Sequence, residues 1–158
     1  MKNIYILPLI LFITFSNFVF GGNCIDGEEV ELWGKCYNIE TTTNLDLSRK
    51  ELSGEIPSEI GNLINLEQLR LYHNQLIGGI PPEIGSLTYL ATLGLADNNL
   101  SESIPSEIGN LMYLTGLYLY NNQLTGEIPY EVCDLIENSN FLDIDNILDG
   151  NNLINTCE

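Results

Sequence analysis

Positive charge is what this 158-residue chain has least of. Lys and Arg number 5 against 22 Asp and Glu, a formal net charge of -17. The sequence-independent part of nucleic-acid affinity comes from Lys and Arg neutralising phosphates, so a nucleic-acid partner is excluded, and an anionic lipid surface repels the chain as well. There is a single His, no Gly-x-Ser-x-Gly and no phosphate loop, which leaves no hydrolytic or phosphoryl-transfer constellation. The carboxylates are too numerous for an acid and base pair to be picked out, so a glycosidase has no positive signal. No catalytic residue is assigned, and a non-enzymatic protein is expected. Cys-x-x-Cys is missing too, which counts against zinc and redox sites; no metal or cofactor is implied. Apolar residues are not lacking: at 44% they are too many for a disordered acidic tail, and the length suits about one folded domain.

Residues 4–20 form a nearly unbroken apolar run after Lys2, broken by Pro8, Thr14, Ser16 and Asn17 and ending at Gly21 and Gly22. A positive start, an apolar middle and a small-residue end describe a secretory signal peptide over residues 1–22, with cleavage near Val19-Phe20-Gly21. A membrane anchor is the competing reading, but the run is at the short limit of about 17 to 25 residues for a span. No second long apolar run follows, so no membrane attachment is expected after cleavage. Lipid attachment at Cys24 is disfavoured by Asn23, where a small side chain is needed. The four cysteines lie in two sequence-local pairs, Cys24 with Cys36 and Cys133 with Cys157. Export to an oxidising space favours disulfides; three connectivities are open, and the one joining neighbours is adopted.

A shift of 24 residues aligns the sequence with itself from Leu45 to Leu135. Leu45, Leu69, Leu93 and Leu117 share a column, and Leu47, Leu71, Leu95 and Leu119 fall two places on. Further columns hold Leu52, Leu76, Leu100 and Leu124, then Ile56, Ile80, Ile104 and Ile128, each followed by Pro57, Pro81, Pro105 or Pro129. Ile60, Ile84, Ile108 and Val132 come next, then Gly61, Gly85 and Gly109, with Cys133 in the fourth place. Each unit opens with an alternating stretch such as Gln68-Leu69-Arg70-Leu71-Tyr72, a short strand with both Leu inward. Asn74, Asn98 and Asn122 follow where the chain turns, and a buried amide there satisfies backbone groups that otherwise cost about 1 to 3 kcal/mol each. Lys50 holds that column in the first unit, so the ladder is expected to start at Asn74. Gly54, Gly78 and Gly126 mark another turn, with Glu102 as the exception. The proline after each Ile fixes φ and removes a donor, which argues against a long helix in that half. One unit cannot bury its own Leu and Ile face, so units must stack into a solenoid with parallel strands.

The run Leu69-x-Leu71-x-x-Asn74-x-Leu76-x-Gly78-x-Ile80-Pro81-x-x-Ile84-Gly85-x-Leu87-x-x-Leu90 resembles the plant-type extracellular leucine-rich repeat. The resemblance implies an α/β solenoid: a right-handed leucine-rich repeat superhelix of 24-residue repeats. Its parallel β-sheet lies on the concave face, with short helical turns or a second small strand on the convex side. Trp33, Gly34 and Cys36 before Thr43-Asn44-Leu45-Asp46-Leu47-Ser48 resemble that family's cysteine-paired N-terminal cap. The expected organisation is a signal peptide at 1–22, that cap at 23–44, four repeats at 45–140, and a degenerate repeat with a C-terminal cap at 141–158. In the last segment Phe141, Asn146, Leu148 and Gly150 are in phase, but Asp143 stands where a strand Leu belongs.

Residues between and beside the strand leucines point away from the core and form the concave surface. They are Asn44, Gln68, Thr92 and Gly116; Asp46, Arg70, Gly94 and Tyr118; Ser48, Tyr72, Ala96 and Tyr120; and Arg49, His73, Asp97 and Asn121. Aromatic and Arg side chains dominate interface energetics. Arg70, Tyr72, His73, Tyr118 and Tyr120, with Asp46, Arg49 and Asp97, are therefore the candidate patch for an extracellular protein, peptide or glycan. Strand Tyr residues also serve as plain β formers in a scaffold. Gly94 and Ala96 are expected to leave a shallow depression between the Tyr-bearing units. Glu55, Glu59, Glu83, Glu107, Glu127 and Glu131 fall on the outer, solvated side. Asp143, Asp145, Asn146, Asp149 and Asn151 have the oxygen ligands calcium prefers but not the helix-loop-helix spacing, and are read as a capping turn. Asn99-Leu100-Ser101 is a glycosylation sequon. The family's roles imply receptor-kinase ectodomains, inhibitors of wall-degrading enzymes and adhesion proteins. The expectation here is a secreted recognition module, with a structural or adhesive surface protein and a carbohydrate-active enzyme as alternatives.

Overall fold

The computed structural model describes residues 24–139 and 141–157; the signal-peptide reading of 1–22 lies outside them. Among the described residues no helix is long and apolar enough to cross a membrane. The chain opens with an antiparallel hairpin of β1 (Glu29–Leu32) and β2 (Lys35–Asn38). The repeats then wind as successive coils. Their alternating stretches are the strands β3 (Asn44–Asp46), β5 (Gln68–Arg70), β7 (Thr92–Gly94) and β9 (Gly116–Tyr118). These pair in parallel, in chain order, with Leu45, Leu69, Leu93 and Leu117 in one register. A second parallel sheet joins β4 (Ser53–Gly54), β6 (Gln75–Gly78) and β8 (Asn99–Leu100).

The core is a continuous column of coil interiors. Leu69, Leu71, Leu76, Ile80, Ile84, Leu87 and Leu90 of one coil are all buried, and each stacks on its counterparts 24 residues away. The ladder amides tie neighbouring coils. Asn98 donates to the carbonyls of Leu71 at 2.9 Å and Leu95 at 3.0 Å, and its Oδ1 accepts from the Leu76 amide at 3.1 Å. Asn122 repeats this with Leu95, Leu119 and Leu100. Asn74 is the first rung, its Oδ1 accepting from the amides of Lys50 and Leu52, both at 3.0 Å.

On the far side, Pro57, Pro81 and Pro105 each stand at the start of a short 3-10 turn, at Ser58–Asn62, Pro82–Ser86 and Ser106–Asn110. The glycine column belongs to these turns. A Cβ on Gly61, Gly85 or Gly109 would stand 2.6, 2.6 or 2.8 Å from the backbone oxygen of Glu83, Glu107 or Glu131 in the next coil. Cys133 can take the fourth place because there it bonds to Cys157. The fourth coil departs from the expectation of no long helix: after Pro129 comes α1 (Tyr130–Asn138). A proline just outside a helix start removes only a donor that has no intrahelical partner, so the residues after it are free to continue.

The last coil corrects the sequence alignment. The ladder position is filled by Asn151 and not Asn146: Asn151 donates to Leu119 O at 2.9 Å and Ile147 O at 2.8 Å, and accepts from Leu124 N at 3.1 Å. Five additional residues separate it from Asn122 relative to the 24-residue period, and α2 (Asp145–Leu148) takes up the excess. After it, β11 (Asn152–Ile154) pairs in parallel with β10 (Thr125–Glu127). Disulfides Cys24–Cys36 and Cys133–Cys157 close the two ends.

Candidate functional site

The concave sheet carries its candidate residues on β3, β5, β7 and β9 and on the turns that follow. Asn44 donates to Gln68 Oε1 at 3.0 Å across adjacent strands. Asp46 accepts from the Ser48 amide at 3.0 Å, and that bond holds its carboxyl below the usual carboxylate range. Arg70 is half-buried beside it in register.

Tyr72 and Tyr118 meet. Their ring centroids are 6.0 Å apart at 57°, the tilted arrangement that aromatic quadrupoles favour. Tyr72 reaches over the next coil, so that a Cβ on Gly94 would overlap its ring, and Tyr118 packs close to Gly116. This corrects the expected depression at Gly94 and Ala96. Both are buried, Ala96 at 0% exposure, and the room freed by the missing side chain at 94 is filled by the Tyr72 ring. Burial pushes the Tyr72 phenol up to about 12, with Tyr118 and Tyr120 adding to it. Tyr120, in the same column as Tyr72 two coils on, is half-buried.

Arg49, His73 and Asp97 stand beyond the strand ends. Each adopts a left-handed backbone, φ 58, 52 and 57, and so does Asn121 at 53. The inter-strand ladder runs on through this column: the amides of Arg49, His73 and Asp97 donate to Tyr72 O, Ala96 O and Tyr120 O. His73 Nδ1 lies 3.3 Å from Asp97 Oδ2, and Asn121 donates to Asp97 Oδ1 at 2.9 Å. The structure thus brings Tyr72 and Tyr118 together as one pair and His73, Asp97 and Asn121 as a rim, while Arg49 remains exposed at the N-terminal end.

Two further surfaces come into view only in the structure, the first by joining a concave-face residue to the acidic segment. Tyr120 with Asp145, Asn146, Leu148, Asp149 and Gly150 lines an open cavity of about 730 Å³ at the C-terminal end of the sheet. In the acidic segment, for which the sequence predicts a capping turn, the Asp143 carboxylate accepts from the Asp145 amide at 3.0 Å, an Asx turn just ahead of α2, whose N-cap residue Ile144 makes no side-chain cap bond. On the flank before the strands, Tyr89 and Tyr113 stack with centroids 6.4 Å apart, beside exposed Met112 and Phe141. Their 24-residue spacing was the available signal. The one cluster of metal-ligating type among the described residues is Cys24, Glu29 and Cys36. Its two sulfurs are joined as a disulfide, so they offer no thiolate.

The Leucine Rich Repeat family pattern falls on residues 41–63, 65–87, 89–111 and 113–135, more than half of the chain. No curated protein sequence matches. Among solved structures, a chain of the BIR3–SERK2 complex from Arabidopsis thaliana is 41% identical over 70% of this chain, with a TM-score of 0.62. The BIR2 ectodomain from Arabidopsis thaliana is 30% identical over 77%, with a TM-score of 0.62. A chain from the Arabidopsis receptor kinase HAESA in complex with the peptide hormone IDA and the co-receptor SERK1 is 36% identical over 72%, with a TM-score of 0.60. This chain spans 55%, 70% and 18% of those three. With its parallel coils and amide ladder, the chain belongs to the leucine-rich repeat family, in the form that plant receptor ectodomains carry.

Proposed function

We propose that the protein is an extracellular recognition module, not an enzyme, that binds a peptide or protein on its concave face through Arg70, Tyr72, Tyr118 and Tyr120. The Tyr72–Tyr118 pair carries this reading. Two large rings held by neighbouring glycines have few conformations left to lose on binding, which is what makes aromatic anchors effective. The two disulfides suit an oxidising compartment, and the solved relatives include an ectodomain and a receptor bound to a peptide hormone. His73 and Asp97 supply an imidazole beside a carboxylate, but no hydroxyl or thiol nucleophile is hydrogen-bonded to the ring among the described residues.

The test is capture from the extracellular fluid of the producing tissue on the immobilised disulfide-bonded chain, in parallel with Tyr72→Ala/Tyr118→Ala. The native chain is expected to retain a discrete peptide or protein that the variant loses, at a temperature where circular dichroism shows both chains folded; the variant's thermal midpoint falls because two packed rings are lost. Equal retention by both would remove the patch as the site. It would favour an adhesive surface, for which the exposed Tyr89–Tyr113 flank is the natural place.

A further inference from the structure

The first coil is where the leucine columns meet incomplete cover. Leu71, Leu95 and Leu119 are fully buried, as are Leu76, Leu100 and Leu124. Their counterparts Leu47 and Leu52 remain partly exposed. The β1–β2 hairpin lies over this end without filling it. Leu32, Trp33 and Tyr37 of the hairpin, Leu47 and Leu52 of the coil, and Lys35 and Lys50 enclose a cavity of about 190 Å³. An apolar cavity of about 150 Å³ accepts benzene, so this one has room for a single ring with a short substituent.

Trp33 is held there unusually. It and Gly34 form a two-residue hairpin turn with φ 47 and 76. Such turns take Asn, Asp or Gly at the first position, and a bulky residue at positive φ is strained. Strain of this kind persists where the surrounding structure imposes it, often at ligand clamps. The Trp33 indole Nε1 is also buried with no hydrogen-bond partner, an uncommon state for a donor.

Charge supplies the third observation. All the Lys and Arg among the described residues, Lys35, Arg49, Lys50 and Arg70, fall within residues 35–70. None lies within ion-pair distance of a carboxylate, since His73–Asp97 is the one such pair among the described residues. In a chain of net charge -17, two ammonium groups beside an apolar cavity, neither within ion-pair distance of a carboxylate among the described residues, offset the overall repulsion of an organic anion there, with Asp46 the acidic neighbour on which Lys50 and Arg70 already act.

We infer that this cavity binds a small organic acid with a flat apolar body, an aryl carboxylate. The ring sits against Trp33 and Tyr37 on the Leu47 and Leu52 floor, and the carboxylate meets Lys35 and Lys50 at the rim. Trp33 is the only tryptophan in the chain, so its emission and its indole N–H resonance report on this cavity alone. Titrating the disulfide-bonded chain with phenylacetate is expected to shift both saturably, with half-saturation below about 1 mM, a value in reach of a ten-atom ligand. Phenethylammonium, with the same ring and the opposite charge, is expected to bind at least about tenfold more weakly. Lys35→Gln/Lys50→Gln, which alters two exposed side chains, is expected to lose about tenfold in phenylacetate affinity at unchanged thermal midpoint. Absence of a saturable change overturns the inference, and so does equal affinity for the two probes or for the two proteins.

Discussion

The Tyr72 ring lies over the α-carbon of Gly94 one coil further on, so closely that a methyl group at position 94 would overlap it. Gly94→Ala must therefore move the ring. It is expected to cost about 1 to 3 kcal/mol by overpacking, to abolish the tilted contact with Tyr118, and to remove ligand capture while the coils stay folded. Urea denaturation and the capture assay read the two effects separately.

The same contact has a pH signature. Burial raises the Tyr72 phenol from the ordinary 10 to about 12 in the folded chain. The folded state then holds a proton that the unfolded state releases, so the associated stability is complete below pH 10 and is lost as pH climbs from 10 through about 12. Burial raises the Tyr37 phenol as well, so a spectrophotometric titration is expected to show late ionisation whose last step, near 12, belongs to Tyr72; that step is absent in Tyr72→Phe and shifted back toward 10 in Gly94→Ala, with Tyr37 unchanged in both.

Asn98→Ala leaves the buried Leu76 amide without its side-chain acceptor and takes one of two side-chain donors from each of the Leu71 and Leu95 carbonyls, which keep Asn74 and Asn122. Water cannot replace it in a column buried on both sides. The expected loss is about 1 to 3 kcal/mol in chemical denaturation, and Asn98→Asp, which keeps the acceptor for the Leu76 amide but not the donations, is expected to recover only part of it.

Glu102 holds a left-handed backbone, φ 67, where Gly54, Gly78 and Gly126 stand in the other coils at 82, 76 and 86. Glu102→Gly relieves a strain of about 1 to 2 kcal/mol per residue, offset by the added freedom of the unfolded glycine. A net gain of about 0.5 to 1 kcal/mol in the same denaturation assay is the expected outcome.

Cys133→Ser/Cys157→Ser opens a loop of 24 residues, for which loop-closure entropy gives about 3 kcal/mol. The loss is expected to concentrate at the C-terminal coil, with hydrogen exchange rising at β10 and β11 before the middle coils respond.

The columns were legible because each coil meets nearly the same neighbours, so one physical demand is written four times. Leu69, Asn98, Ile104 and Pro105 could be placed from periodicity alone. Where the environment stops repeating, periodicity misleads. Asn146 is in phase, yet Asn151 makes the bonds, because a helix inserted ahead of it moves the chain forward by five residues and hydrogen bonding follows geometry and not count. Gly94 and Ala96 read as an opening for a related reason: a sequence column shows which side chain is absent and says nothing of which neighbour leans into the space. The cavity under Trp33 was equally hidden, since its walls come from a hairpin that has no repeat to compare with.

Gly61, Gly85 and Gly109 let each outer turn press against the backbone of the next, whereas Cys133 turns that seat into a covalent stop. An array built this way can grow only from within. A duplicated unit spliced between two glycine-bearing coils finds a seat above and below, but one appended after the cysteine finds a sulfur already spoken for. Insertion of one 24-residue unit between two glycine-bearing coils is thus expected to leave both disulfide-closed ends intact and to widen the concave sheet by one strand.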